Sequence, residues 1–163
     1  MKKLLIVLLF IPNICFAIPV TDMSIGKFMH EFNTCILSIT NNNIHVTGFH
    51  YFSKLNGQDV YKVKFNNNIN SRMYVCLKNN QIQQLLFINE QYNDEALRHA
   101  IIKVKASLIA LGISPESSMN TITKCVKKDD GRVYSFSKQE NRLLLIAVDD
   151  NDKEINFHIL GDE

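Results

Sequence analysis

Residues 93–111, NDEALRHAIIKVKASLIAL, decide the fold class of this chain. Apolar residues recur there at steps of four and three, the spacing that places them on one side of a helix. This stripe consists of Leu97, Ile101, Val104, Leu108 and Leu111. Gly112 follows at the position where helices often end in a left-handed residue. The pattern predicts a helix over 93–111 that crosses one face of a sheet, with Ile101 and Leu108 buried.

A second helix is predicted directly after the first. Ser114-Pro115 can open it, because proline is tolerated in the first helical turn. Glu116 then lies near the positive end of the helix dipole. The buried side of this helix is expected to carry Met119, Ile122 and Val126. Two helices joined by such a short connection form an αα-hairpin.

Strand patterns flank this hairpin on both sides, and one further helix, over 24–40, precedes them. Segments with β character before the hairpin are 44–52, 60–65, 71–78 and 82–89, and those after it are 132–137, 142–148 and 154–160. Asn56-Gly57 and Asn79-Asn80 are turn signals between strands. The element order is therefore α-β-β-β-β-α-α-β-β-β. Strands grouped in runs predict an α+β fold, with helices packed on one face of an antiparallel sheet of about seven strands.

The first 17 residues have the pattern of a secretory signal peptide. Two lysines form a positive start, Leu4 to Ile11 are uninterruptedly apolar, and Ala17 supplies a small residue at the cleavage site. This apolar run is far shorter than the ~20 residues that span a bilayer. A lasting membrane anchor and a lipid on Cys15 are therefore the weaker alternatives. We expect residues 1–17 to be removed and the protein to be periplasmic or secreted, with no stable membrane anchor.

Cleavage leaves residues 18–163, a length that suits a single α+β domain with its own core. The full chain has 18 basic and 16 acidic residues, and Lys2 and Lys3 are lost with the signal peptide. The remaining 16 basic and 16 acidic residues give a net charge of zero. Because nothing indicates a basic patch that could follow a phosphate backbone, a nucleic acid partner is not expected.

Three cysteines remain after cleavage, in a compartment that favours disulfides. They are Cys35, Cys76 and Cys125, and no two of them form the Cys-x-x-Cys pair of redox or zinc sites. Cys35 lies in the apolar stripe of the first predicted helix, which suits a free thiol. We expect a Cys76–Cys125 disulfide, with a bridge from Cys35 to either of the other two as the alternatives.

No catalytic or metal-binding motif emerges from the histidines, acids or glycines. His30-Glu31 lacks the second histidine of a zinc-protease helix, because position 34 is threonine. The acidic run 149–154 lacks the glycine and the ligand spacing of an EF-hand loop. A nucleophile elbow, a phosphate loop and a dinucleotide fingerprint are also missing from the sequence. We therefore expect no catalytic residue, no metal and no cofactor.

Aromatic residues concentrate on the first two predicted strands, and Phe49, Tyr51, Phe52 and Tyr61 are the best candidates for a binding surface. Together with export and small size, they favour a protein-binding module: an inhibitor, an immunity protein or an accessory factor of a secretion system. The sequence does not specify the protein partner or the oligomeric state. The alternative is a small periplasmic hydrolase or ligand-binding domain, which should show a pocket with convergent polar groups.

Overall fold

The computed structural model describes residues 19–67, 71–89, 94–128, 130–138, 141–151 and 154–162. Within these residues the chain forms three helices and seven strands, in the predicted order. The helices are α1 (Ile25–Ile39), α2 (Asp94–Ala110) and α3 (Pro115–Lys127); the strands are β1 (Val46–Leu55), β2 (Gln58–Phe65), β3 (Ser71–Lys78), β4 (Gln81–Asn89), β5 (Arg132–Ser137), β6 (Arg142–Asn151) and β7 (Glu154–Asp162). The predicted signal peptide, residues 1–17, lies outside the described residues.

The strands form one antiparallel sheet in the order β1-β2-β3-β4-β7-β6-β5. A four-stranded meander, β1 to β4, and a three-stranded meander, β5 to β7, join where β4 pairs with β7. The predicted α+β fold with a seven-stranded antiparallel sheet is thus confirmed. Among the described strands, β1 and β5 are the two edges of the sheet.

Two asparagine-containing turns set the register of the first meander. Asn56 and Gly57 both have positive φ, 50° and 77°, as a type I′ turn requires. Asn79 and Asn80 have φ of 52° and 63° and form the equivalent turn between β3 and β4. Because a two-residue turn of this type matches the twist of its strands, it fixes which residues pair across the hairpin.

The helices cover one face of the sheet. α2 packs over the central strands β3, β4 and β7, α3 packs over β5 and β6, and α1 lies against α2. Leu108 on α2 is fully buried, as predicted, whereas Ile101 is only partly buried. Burial extends around most of α2, because this helix contacts the sheet and both other helices.

The buried side of α3 differs from the prediction. Ile122 is buried, but Met119 and Val126 are exposed. The other core-facing positions are the smaller residues Ser118, Thr121 and Cys125. These side chains let α3 approach the segment before β5 closely, and the Cys125 Sγ lies 2.9 Å from the carbonyl oxygen of Gly131. The longer apolar side chains are therefore turned away from the core.

The opposite face of the sheet, named the helix-free face, carries a second apolar cluster of Val60, Tyr74, Cys76, Leu86 and Ile88. Beside this cluster, Gln84 Nε2 lies 2.9 Å from His158 Nδ1, and both side chains are buried. Burial lowers the pKa of His158 to about 4, since the charged imidazolium loses its hydration. The ring is thus neutral near pH 7, and its Nδ1 accepts a hydrogen bond from the Gln84 amide.

Candidate interaction surfaces

The four aromatic residues proposed from the sequence lie at the β1 edge of the sheet. Phe49, Tyr51 and Phe52 on β1 are 40%, 53% and 37% exposed, and Tyr61 on β2 is half-buried. Phe49, Tyr51 and Tyr61, whose rings are in contact, are named the β1 aromatic surface. Several large apolar side chains exposed side by side are typical of an interaction surface.

Three of the four rings form one connected cluster on the helix-covered side of the sheet. The ring centroids of Phe49 and Tyr61 are 6.1 Å apart, and those of Tyr51 and Tyr61 are 5.8 Å apart. Both pairs meet edge to face, at 71° and 83°, a favoured aromatic geometry. Tyr61 also packs against the main core, so it anchors the two exposed rings.

Phe52 lies apart from this cluster, on the helix-free face. The pairing of β1 with β2 shifts between Val46 and Gly48 and again between Tyr51 and Ser53. Alternation along the strand places Phe52 on the opposite face from Tyr51, where its ring meets Tyr74 at 5.4 Å between centroids. The prediction grouped all four rings on one hairpin, although strand alternation separates Phe52 from Phe49 and Tyr51.

The other edge strand, β5, carries two exposed aromatic residues that the sequence reasoning missed. Tyr134 and Phe136 are 55% and 53% exposed. They pair with Leu145 and Leu143 of β6, and alternation along β5 places them on the helix-free face. The segment 132–137 alternates charged or aromatic residues with small ones, and that pattern could have indicated an edge strand with one solvent-exposed face.

A groove of about 640 Å³ runs between this edge strand and α3. It is named the β5–α3 groove and is lined by Asn120, Thr123, Lys124, Lys127, Lys128, Arg132, Val133 and Tyr134. Within the described part of the chain, the one carboxylate that pairs with these cations is Asp130, whose Oδ1 lies 3.4 Å from Lys128 Nζ. The backbone N–H of Arg132, and then Lys128, lower the pKa of Asp130. With four cations and this one carboxylate, the described residues of the groove carry a net positive charge.

A smaller polar pocket of about 260 Å³ lies between the end of α1 and the start of α2. Thr40, Asn41, Asn43, Asn67, Arg98 and His99 supply its polar lining. Among the described residues, neither His99 Nδ1 nor Asn67 Oδ1 has a hydrogen-bond partner, although both atoms are buried. Burial lowers the pKa of His99, and the nearby charges of Lys103 and Arg98 lower it further.

Lys103 lies one helical turn beyond His99 and is almost fully buried. Its Nζ donates to the carbonyl oxygen of Ser71 at 2.6 Å and lies 4.3 Å from the centre of the Phe65 ring. Burial lowers the pKa of Lys103 to about 8. The apolar stripe at 93–111 gave no sign of this buried cation, because lysine ordinarily lies on the solvent side of a helix.

The predicted Cys76–Cys125 disulfide is wrong: Cys35, Cys76 and Cys125, the cysteines among the described residues, are free thiols. Cys76 faces the helix-free side of the sheet, whereas Cys125 lies on α3 on the opposite side, so the sheet itself separates them. The alternatives, in which Cys35 takes part in a bridge, also fail. Burial raises the pKa of Cys76 to about 12 and that of Cys125 to about 11, which makes both thiols unreactive.

In the described segments, no group of three or more histidine, cysteine or acidic side chains is arranged to hold a metal ion. Over the same residues, no helix has the length and apolar character needed to cross a membrane. Comparison of the chain with protein-family models, with curated proteins and with solved structures gave no match.

Proposed function

We propose that this protein is a non-enzymatic, exported binding module that recognises another protein through the β1 aromatic surface. The observation that carries the proposal is the cluster of Phe49 and Tyr51 around the anchored ring of Tyr61, at a sheet edge. Aromatic side chains that pack into a partner's pocket supply much of the free energy of protein interfaces.

The ring cluster is organised before any partner arrives. Each exposed ring touches Tyr61 edge to face, and Tyr61 is fixed against the core. Rings held in place by neighbours lose little rotamer freedom on binding, so more of their contact energy appears as affinity. Docking by side chains is therefore favoured at this edge.

The charged groups at the hairpin end contribute little to this interface. Lys54 Nζ and Asp59 Oδ1 are 3.9 Å apart, and both side chains are largely exposed. An exposed ion pair of this kind is worth about 0 to 1 kcal/mol. It forms a polar rim that sets orientation, while the rings supply the binding energy.

The proposed setting is the periplasm or the outside of the cell, reached through the signal peptide over residues 1–17. The pattern of lysines, apolar run and Ala17 supports it. The three free thiols neither require nor oppose an oxidising compartment, because Cys76 and Cys125 are buried and Cys35 is partly buried.

Site-specific photocrosslinking in the producing cell tests the proposal. A photoreactive phenylalanine replaces Tyr51, and in a matched control it replaces Ser38, which is exposed on α1. We expect a covalent adduct with another protein from position 51 and none from position 38. Equal labelling at both positions, or no adduct from position 51, would contradict the proposal.

The polar pocket beside His99 favours a second candidate, the binding of a small anionic molecule. Both Arg98 and His99 line this pocket, and the buried His99 Nδ1 has no hydrogen-bond partner among the described residues. Titration with acetate and with phosphate, monitored by the ring-nitrogen NMR signals of His99, tests it. The exposed His30 ring is the internal control, and equal shifts in both rings would reject a specific site.

A further inference from the structure

We propose that β5 and the β5–α3 groove bind an extended peptide segment of a partner protein, which adds to the sheet as an eighth strand. Acidic side chains of this segment would face α3, and apolar side chains would alternate with them on the helix-free face. This site lies at the opposite edge of the sheet from the β1 aromatic surface, and the inference does not depend on the function proposed there.

The backbone of β5 offers hydrogen-bonding groups to a new strand. Val148 N donates to Gly131 O at 2.7 Å, so the carbonyl of Gly131 faces β6, while its N–H donates to Lys128 O. Because backbone groups alternate in direction along an antiparallel strand, those of Val133 and Ser135 also face β6. The groups of Arg132, Tyr134 and Phe136 point away from the sheet.

Side-chain contacts at Arg132 agree with this assignment. Its N–H donates to Asp130 Oδ1, and its carbonyl accepts from Lys128 Nζ, each at 3.1 Å. Neither group is therefore used by β6. Among the described residues, the outward backbone groups of Tyr134 and Phe136 have no comparable partner, so two positions of the edge remain open to strand addition.

Continuous register makes β5 a suitable template. All six residues from Arg132 to Ser137 pair in sequence with Ala147 to Arg142, without a bulge. Regular edges of this kind accept an additional strand, and main-chain hydrogen bonds then supply affinity. Alternate side chains of the added strand fall on opposite faces of the sheet, so the two faces decide which sequence fits.

The helix side of the new strand would meet a positive surface. Lys124 and Lys127 line the groove one turn apart on α3, and within the described residues neither forms an ion pair. Lys128 is already engaged by Asp130 and by the carbonyl of Arg132. The two free ammonium groups therefore select carboxylate side chains on this face of the segment.

The other side of the new strand would lie next to exposed rings. Tyr134 and Phe136 project from β5 onto the helix-free face, more than half exposed. An apolar side chain on the neighbouring strand would cover part of both rings. The occupant that satisfies both faces is an extended segment in which acidic and apolar residues alternate.

A synthetic peptide provides the probe. It is a capped eight-residue peptide with Glu at alternate positions and Val or Thr between them, and its control has Lys in place of every Glu. Binding to protein expressed from the full-length gene is measured by NMR titration. We expect the acidic peptide to bind, with shift changes centred on Tyr134, Phe136 and Lys124, and the basic peptide to bind at least tenfold more weakly.

Two protein variants separate the backbone contribution from the charge contribution. Tyr134→Pro removes an outward N–H without removing a bond to β6, and it should abolish binding, whereas Tyr134→Ala retains the N–H and should weaken binding only a fewfold. The double variant Lys124→Glu with Lys127→Glu should weaken binding at least tenfold. The double variant Phe49→Ala with Tyr51→Ala should leave peptide binding unchanged.

A modified peptide keeps the test valid if Tyr134→Pro fails to fold. Two N-methylated forms of the acidic peptide are made, one methylated at the odd-numbered residues and the other at the even-numbered residues. In one of these two forms the methyl groups replace the N–H groups that bond to β5, and that form should not bind. Absence of binding by the acidic peptide at millimolar concentration would overturn the proposal. Equal binding of acidic and basic peptides, or shift changes centred on β1, would also overturn it.

Discussion

The two edges of the sheet differ in what they present to a partner. β1 is interrupted by two irregularities in its pairing, and its exposed rings cluster around Tyr61. β5 is paired without interruption and lies beside a positive groove. Bulges twist an edge away from strand addition, so β1 is left with side chains as its means of contact. A regular edge retains its backbone groups as a template, so β5 can recognise an extended chain.

This contrast arises from local sequence within one common core. The β1–β2 hairpin closes with the tight Asn56-Gly57 turn, and its strand is long enough to contain two bulges. β5 has only six residues, Arg132–Ser137, and follows a short connection after α3 that ends at Gly131. Both edges depend on α2, which packs over the centre of the sheet between them.

The largest expected effect comes from breaking the core that the two edges share. Leu108→Asp places a charge at a fully buried site on α2, and a loss of more than about 4 kcal/mol of unfolding free energy is expected. The strands at both edges should unfold together in one thermal transition. Ile101→Asp should lower the unfolding free energy by less, because Ile101 is only partly buried. A Leu108→Asp protein with a native melt would show that the core assignment is wrong.

Acid should loosen the sheet between the two edges. The pKa of His158 is about 4 in the folded protein and 6.5 when the chain is unfolded, so the unfolded chain takes up the proton first. Stability from this residue is complete above pH 6.5 and is lost as the pH falls toward 4, by about 3 kcal/mol in total. Denaturant unfolding at several pH values measures the loss.

His158→Phe is the matched variant for this pH experiment. It removes the titrating ring and should flatten the dependence of unfolding free energy between pH 6.5 and 4, even if the variant is less stable throughout. His99, whose pKa is also lowered, will contribute a residual slope of the same sign. If His158→Phe kept the full wild-type dependence of unfolding free energy on pH, other residues would be responsible for that dependence.

The two glycine turns at the edges give a smaller and more local comparison. Gly131 has φ of 60°, and a Cβ added there would collide with the carbonyl oxygen of Val148. Gly57 has φ of 77° but open space around it. Gly131→Ala should therefore destabilise by more than about 2 kcal/mol, while Gly57→Ala should lose only the 1 to 2 kcal/mol or so of a left-handed alanine. Comparable losses for the two variants in chemical denaturation would contradict the predicted clash.

Most of the fold could be predicted from hydrophobic periodicity and turn residues, because the helical stripe of 93–111 and the Asn-Gly turn act locally. The failures concern relations between elements. The expected Cys76–Cys125 disulfide ignored the sheet that lies between the two residues. Exposure of Met119 and burial of Lys103 depend on how each helix packs against its neighbours, which spacing alone does not encode.

The candidate site was predictable in composition and not in shape. The aromatic content of the first hairpin located an exposed cluster, but grouping by hairpin ignored the alternation that places Phe52 on the other face. The β5–α3 groove was missed because helical spacing does not show which strand the lysines of α3 flank. Only the packing of α3 over β5 brings them together.

The affinity of the crosslinked protein partner for two variants tests the central claim most directly. One variant combines Phe49→Ser with Tyr51→Ser on β1, and the other is Tyr134→Pro on β5. Removal of two anchoring rings should weaken partner binding by about 2 kcal/mol or more, roughly thirtyfold, in a calorimetric titration. The β5 variant should bind that partner as the wild type does. Unchanged affinity in the β1 variant would contradict the account.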